Sequence, residues 1–210
     1  MADVICHQCF PTLVYEFKLD LDHDKMLDCV SNTLTEEARS QKHIRRLQQL
    51  HHNYDDDLHK LLIFKPLVDK LDLLHESILR KLEYKFDKIE ITNMWSNRLD
   101  SGDAHPPHTH SNNFLSGVYY LQSSADSSPI HFFDPRAQSS ILVPRREKVN
   151  RYNSNMLSFI ASQGTGLIFP SWLQHWVPPT QCKDGRISLS WNIILRGEYG
   201  EPGTFQNAYI

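Results

Sequence analysis

The chain has 210 residues, with 22 Lys and Arg against 25 Asp and Glu and a formal net charge of -3, which is long enough for one well-buried domain and too evenly charged for a nucleic-acid-binding surface. No stretch approaches the about 18 consecutive apolar residues of a membrane-spanning helix, and the opening Met-Ala-Asp-Val-Ile-Cys-His lacks the basic and apolar regions of a secretory leader, so a cytoplasmic protein is expected. Four scattered cysteines, at 6, 9, 29 and 182, suit a reducing compartment better than a disulfide scaffold.

In chain order, Cys6-His-Gln-Cys9 has the spacing of half a zinc ribbon or a redox pair, but no second pair follows and we assign it no role. Residues 10–19 alternate apolar and polar side chains after Val14 and predict a strand. From about Asp24 to Tyr54 the apolar period turns helical, through Met26, Leu27, Val30, Leu34, Leu47 and Leu50. A second helix is expected from about Asp56 to Lys85, kinked or divided at Pro66. His43, His51, His52, His59 and His75 fall in this helical half without partners at metal-binding spacing, and read as exposed or capping side chains.

Beyond residue 86 short strands follow one another between Gly, Pro, Ser and Asp: 87–95, 105–110, 114–122, 129–134, 156–161, 166–170, 174–177 and 186–195. Eight such strands predict an α+β, mainly β fold, a cupin-like jelly roll with the N-terminal helices packed on one face. The expected organisation is a single domain over 1–210, with about 1–86 as strand and helical support and about 87–196 as the jelly-roll core. The polar, weakly periodic stretch 136–155 predicts a loop of the kind that covers a site as a lid. Its Arg145-Arg146 reads as solvated surface.

The chemistry lies in the β half. Residues i and i+2 of a strand share a face, so the rings of His108 and His110 can converge on one ion, and His175 supplies a third imidazole. From His175 the chain turns through Pro178-Pro179 and Lys183-Asp-Gly185 into another alternating run, which predicts a hairpin returning Arg186 to the metal. A guanidinium there can hold a carboxylate through two parallel hydrogen bonds, with the Ser188 hydroxyl beside it.

Several blocks in this order carry a family resemblance. Gly102-Asp-Ala-His-Pro-Pro-His-Thr-His-Ser-Asn-Asn-Phe-Leu-Ser-Gly-Val-Tyr-Tyr-Leu121, Phe133-Asp-Pro-Arg136, Gly166-Leu-Ile-Phe-Pro-Ser-Trp-Leu-Gln-His-Trp-Val-Pro178 and Arg186-Ile-Ser-Leu-Ser-Trp-Asn192 resemble the 2-oxoglutarate and iron(II) dependent oxygenases of marine bacteria and their phages. The likeness is strong over about half the chain, from Trp95 to Asn192, and Phe10-Pro-Thr-Leu-Val14 resembles the start of that family. It implies a double-stranded β-helix, Fe(II) as cofactor, 2-oxoglutarate and O2 as co-substrates, and oxidation of a C–H bond in a second substrate, within a bacterial or phage-infected cytoplasm. By position it implies His108 and His175 as iron ligands and Arg186, assisted by Ser188, as the anchor of the distal carboxylate of 2-oxoglutarate.

One departure from the pattern bears on the metal. His110 stands where a carboxylate would complete two histidines and one acid around iron, leaving a three-histidine set, a carboxylate from elsewhere such as Asp134 or Asp103, or completion by water; strand geometry favours His110. Tyr119 or Tyr120, which must face oppositely, offers a hydroxyl to 2-oxoglutarate, and Tyr120 is assigned to the co-substrate. Asn97 and Asn192 are weaker cases of the same kind. Arg136 either meets an acidic substrate or pairs with Asp134. Trp172 and Trp176 read as barrel packing, and His105 and His131 as one solvent-facing and one ordinary strand histidine. Two other readings compete: a three-histidine cupin dioxygenase that does not use 2-oxoglutarate, which Arg186-Ile-Ser188 argues against, and a non-catalytic jelly-roll binding module.

Overall fold

The computed structural model describes residues 3–40, 51–52 and 57–210. In chain order its main elements are β1 (Tyr15–Lys18), α1 (His23–Ser40), β2 (His51–His52), α2 (Lys65–Lys81), β3 (Lys88–Leu99), β4 (His105–His108), β5 (Leu115–Gln122), β6 (Ile130–Phe133), β7 (Met156–Phe159), β8 (Thr165–Pro170), β9 (His175–Val177), β10 (Arg186–Arg196), β11 (Glu198–Tyr199) and β12 (Ala208–Tyr209). One sheet has the order β1-β8-β5-β10-β3-β2 and a second the order β4-β9-β6-β7, while β11 and β12 pair alone.

Strand β10 shows why the two sheets face each other. Its Ile187, Leu189, Trp191, Ile193 and Leu195 alternate with Arg186, Ser188, Ser190 and Asn192, so a period of two separates an apolar face from a polar one. The apolar face packs with Tyr119 and Leu121 of β5 against Met26 and Val30 of α1 and Leu67, Leu71, Ile78 and Leu79 of α2. The opposite face looks into the space between the sheets, where Leu99, Val118, Tyr120, Leu167 and Phe169 of the larger sheet meet Ile130, Phe132 and Val177 of the smaller. Adjacent Tyr119 and Tyr120 therefore belong to different cores. Two close approaches demand glycine: a Cβ on Gly117 would lie 2.1 Å from the Trp191 ring and one on Gly166 2.3 Å from that of Phe17.

Each of the eight strands expected after residue 86 is present, with β3 four residues longer at its end than expected. The helical half departs further from expectation. The first strand spans only Tyr15–Lys18, because Phe10, at a φ of 56°, and Pro11 interrupt extended pairing. Helix α1 covers the first part of the expected helix; Leu47, Leu50 and His43 lie outside the described residues, and His51–His52 is a strand on Arg98 and Asn97, recruited by the open edge of β3. Two 3-10 turns occupy 58–64, and Pro66 sits in the first turn of α2, so it starts that helix instead of kinking it; a residue without an N–H loses nothing there. The β11–β12 pair has no counterpart in the sequence reading.

His75 is the other correction: it is not exposed but fully buried, and its Nε2 accepts a hydrogen bond from Trp191 Nε1 at 3.0 Å. Burial pushes the imidazole down from an ordinary 6.5 to about 4, so the folded protein keeps it neutral where the unfolded chain protonates it. Stability from this group is intact above pH 6.5 and is lost as pH falls towards 4. Urea unfolding at stepped pH checks this: relative to His75→Gln, which keeps an acceptor for Trp191, the parent protein should lose on the order of 3 kcal/mol more across that window.

Candidate metal centre

The three histidines come from two strands and a turn. His108 at the end of β4 pairs in register with His175 at the start of β9, which places both rings on the inner face of the smaller sheet. His110 lies just past the end of β4, not within it as the i, i+2 argument assumed, and its backbone N–H donates to the Ser171 carbonyl at 2.9 Å. The rings nevertheless converge. One nitrogen from each lies within 4.8 Å of the others, with ring centroids 4.2 Å apart for His108–His175 and 5.2 Å for His110–His175.

Second hydrogen bonds fix which nitrogen faces the centre. Nδ1 of His108 donates to the Pro106 carbonyl at 2.8 Å and Nδ1 of His175 to the Leu173 carbonyl at 2.9 Å. Carbonyl oxygens only accept, so each Nδ1 carries the proton and each Nε2 keeps its lone pair for a cation. Burial lowers His108, takes His110 to about 4 with help from His108, and takes His175 to about 3. All three are therefore neutral near pH 7, the form that ligates.

A buried polar chain supports the His110 turn. Ser171, whose carbonyl holds His110, donates its hydroxyl to Ser116 Oγ at 2.8 Å; Ser116 donates to Asn192 Oδ1 at 2.7 Å, and Asn192 Nδ2 to Asn93 Oδ1 at 2.8 Å. Ser116 and Ser171 went unnoticed in the sequence because single serines in strands carry no spacing signal, whereas Asn192 was singled out.

Arg186 reaches the same interior by a route other than the expected hairpin. β9 pairs with β4 and β6, whereas β10 pairs with β3 and β5, so the segment after His175 crosses from one sheet to the other. The prolines make that crossover, and the alternation of β10 still turns Arg186 inward. Its side chain is 3% exposed, its Nε has no hydrogen-bond partner, and no ion pair to it occurs among the described residues. The guanidinium lies over the Tyr120 ring at 4.8 Å, within cation–π range. The Tyr120 hydroxyl is also buried without a partner, and burial raises its pKa against the pull of Arg186. Ser188 stands opposite Tyr120 on one side and Asn97 on the other, and Asn97 donates to Ser190 Oγ at 3.0 Å.

His105 belongs to this interior as well. Its ring stacks on His108 at 4.0 Å, and burial takes it to about 2, with His108, His175 and Arg186 adding to the depression. It is therefore half-buried against the imidazole group instead of facing solvent. His131 is the ordinary strand histidine, outward, against Ser158 at 2.6 Å and stacked on Trp176. Trp172 is 58% exposed and packs no barrel. Tyr119 meets His23 Nε2 at 2.7 Å on the helical side.

The alternative carboxylates lie elsewhere. Asp134 is gripped by Arg136 through Nε at 2.9 Å and a terminal nitrogen at 2.8 Å, which holds its carboxyl at about 2, and this settles Arg136 as its partner. Asp103 Oδ2 accepts from the Asp100 backbone at 3.0 Å. Neither joins the His108, His110 and His175 group among the described residues. Titration of each variant with Co(II) separates the choices: His110→Ala should weaken binding about 100-fold or more, at least as much as losing an outer partner of a ligand, while Asp134→Asn should leave it within about twofold.

The model of a family described as "Putative 2OG-Fe(II) oxygenase" matches residues 93–192, the stretch that contains all three histidines, Arg186 and Ser188. Among curated proteins none matches this sequence. In fold the chain is similar to a Pseudomonas putida prolyl-4-hydroxylase, with 14% identity, a TM-score of 0.60 and coverage of 89% of this chain and 94% of that one. It is similar to the α-ketoglutarate-dependent epimerase SnoN of nogalamycin biosynthesis, at 12% identity and 0.58 over 92% and 83%. A prolyl hydroxylase from Trichoplax adhaerens, solved with a peptide of hypoxia inducible factor, gives 13% and 0.56 over 86% and 83%. These likenesses identify the two facing sheets as a double-stranded β-helix. The family match over 93–192 supports a 2-oxoglutarate- and Fe(II)-dependent oxygenase.

Proposed function

We propose that His108, His110 and His175 hold the iron, that Arg186, Ser188 and Tyr120 hold 2-oxoglutarate, and that the enzyme is a hydroxylase of a second substrate. One observation carries the proposal: a buried guanidinium with no carboxylate of its own lies in the same interior as three neutral imidazoles aimed at one point. These residues fit the two groups. Imidazole suits iron, and a planar guanidinium suits a carboxylate. When bound, Fe(II) supplies the coupling of oxidative decarboxylation of 2-oxoglutarate, yielding succinate and CO2, to oxidation of a C–H bond.

The chain's own residues contribute position and dryness. Pro106 and Leu173 carbonyls lock two imidazoles in one tautomer, so the ligand set is formed before any ion arrives. Arg186 offers its unpaired Nε–H, and Tyr120 its hydroxyl, to the far end of a dicarboxylate. Phe169 and Phe132 stand 4.8 and 5.7 Å from the His175 ring and keep water from the inner side of the centre. The three-histidine cupin and binding-module readings leave Arg186 buried without an anion. The narrower resemblance, to enzymes of marine bacteria and their phages, rests on the motif blocks alone.

Anaerobic titration of the Fe(II) protein with 2-oxoglutarate, followed by its visible charge-transfer absorption, tests the assignment. Arg186→Ala should raise the dissociation constant about 100-fold, as expected for loss of one partner of a buried charge pair, and His175→Ala should abolish the band. Unchanged affinity in Arg186→Ala would remove the guanidinium from its role.

A further inference from the structure

The segment between β6 and β7 leaves the barrel at the end that carries the histidines. Phe132 pairs with His175, the next backbone N–H, of Phe133, donates to Gln174, and Asp134 N–H donates to Asn155 across the stem. Both ends of the loop are thus anchored beside the centre. Between them the chain carries five cations, Arg136, Arg145, Arg146, Lys148 and Arg151, against Asp134 and Glu147, a net +3 in a chain of net -3.

Among the described residues, seven of the twelve surface cations outside the loop have carboxylate partners. Lys25, Lys60, Lys65, Arg80, Lys88, Arg98 and Arg196 each meet a carboxylate, whereas Lys18, Lys70, Lys81, Lys85 and Lys183 form no ion pair among the described residues, and in the loop Arg136 meets Asp134. Arg145, Arg146 and Lys148 are exposed and form no ion pair among the described residues, and the three line one cleft of about 570 Å³ together with Leu142, Val143 and Glu147. That volume lies in the range of small-molecule sites. Clustered unpaired cations in a concavity concentrate anions, while the acidic balance of the remaining chain repels a long polyanion.

We propose that this cleft binds a compact organic anion, bearing at least two phosphate or carboxylate groups, and that it is the site through which the oxygenase takes its second substrate. The inference rests on the assignment of the barrel interior to iron and 2-oxoglutarate, which leaves the loop free for another ligand. The apolar wall of Leu142 and Val143 accommodates the carbon skeleton, and Arg145, Arg146 and Lys148 the charge. Glu147 on the same wall disfavours ligands whose negative groups approach from its side.

Calorimetric titration of the full-length, metal-free protein with inorganic tripolyphosphate and with citrate tests the site apart from the iron chemistry. One equivalent of at least one of them should bind, more weakly as salt is raised. Arg145→Ala/Arg146→Ala, which alters only exposed side chains, should weaken binding about 100-fold, roughly tenfold for each charge-assisted contact, and Arg186→Ala should leave it unchanged. Tighter binding of tripolyphosphate assigns phosphate recognition, and tighter binding of citrate carboxylate recognition. Absence of binding to both, indifference to the double substitution, or loss in Arg186→Ala overturns the proposal. So does tighter loop binding by a single-stranded oligonucleotide or a glutamate-rich peptide. None of these results alters the 2-oxoglutarate titration, so the two assignments fail separately.

Discussion

Burying a guanidinium with no carboxylate beside it costs several kcal/mol, and Arg186 is 3% exposed without an ion pair among the described residues. The Tyr120 ring offsets part of that cost at 4.8 Å, but a ring face cannot accept the directed hydrogen bond that Nε offers. A protein that carries such a charge in its interior is more stable with an anion than without one. The rest of the inner surface follows from this requirement: small or hydrogen-bonding Ser188, Ser190 and Asn97 in place of aliphatic residues, and a tyrosine whose hydroxyl is kept in reserve.

The imidazole group makes the complementary demand. Three neutral imidazoles around a dication would leave it with its full charge, where a carboxylate in place of His110 would cancel one unit. Protonating any of them would set two cations side by side in a partly buried space, and burial with mutual repulsion therefore drives His110 and His175 well below the ordinary range. A doubly negative co-substrate would answer a metal dication held by the proposed ligands at one end and the guanidinium at the other.

What could be read from the sequence was whatever a period of two dictates. The β strands after residue 86 and the inward aim of Arg186 follow from alternation and hold although the Pro178-Pro179 segment links two sheets, not two strands of one hairpin; His110 joins His108 from beyond the end of β4, where the i, i+2 rule does not apply. Local periodicity says which way a side chain faces and is silent on which neighbour its strand pairs with. It failed where tertiary contact decides the outcome. His75 has an ordinary place on a helix and becomes buried only because Trp191, far away in sequence, offers its indole N–H, and His51–His52 is extended because β3 has an open edge. Ser116 and Ser171 acquire meaning only through each other.

The two faces of the large sheet also explain where function can lie. Helices α1 and α2 pack on the outer face with a largely apolar layer. The second sheet closes the opposite face, and the aromatic residues around His175 seal the inner side of the centre. Access is left at the ends of the strands, where the β4, β6 and β9 termini gather the histidines and where the longest irregular segment of the β half emerges. A rigid scaffold that holds His108 and His175 in its strands varies its substrate most readily through such a segment. The charge of this loop is opposite in sign to that of the chain as a whole, which sets it apart from the rest of the surface.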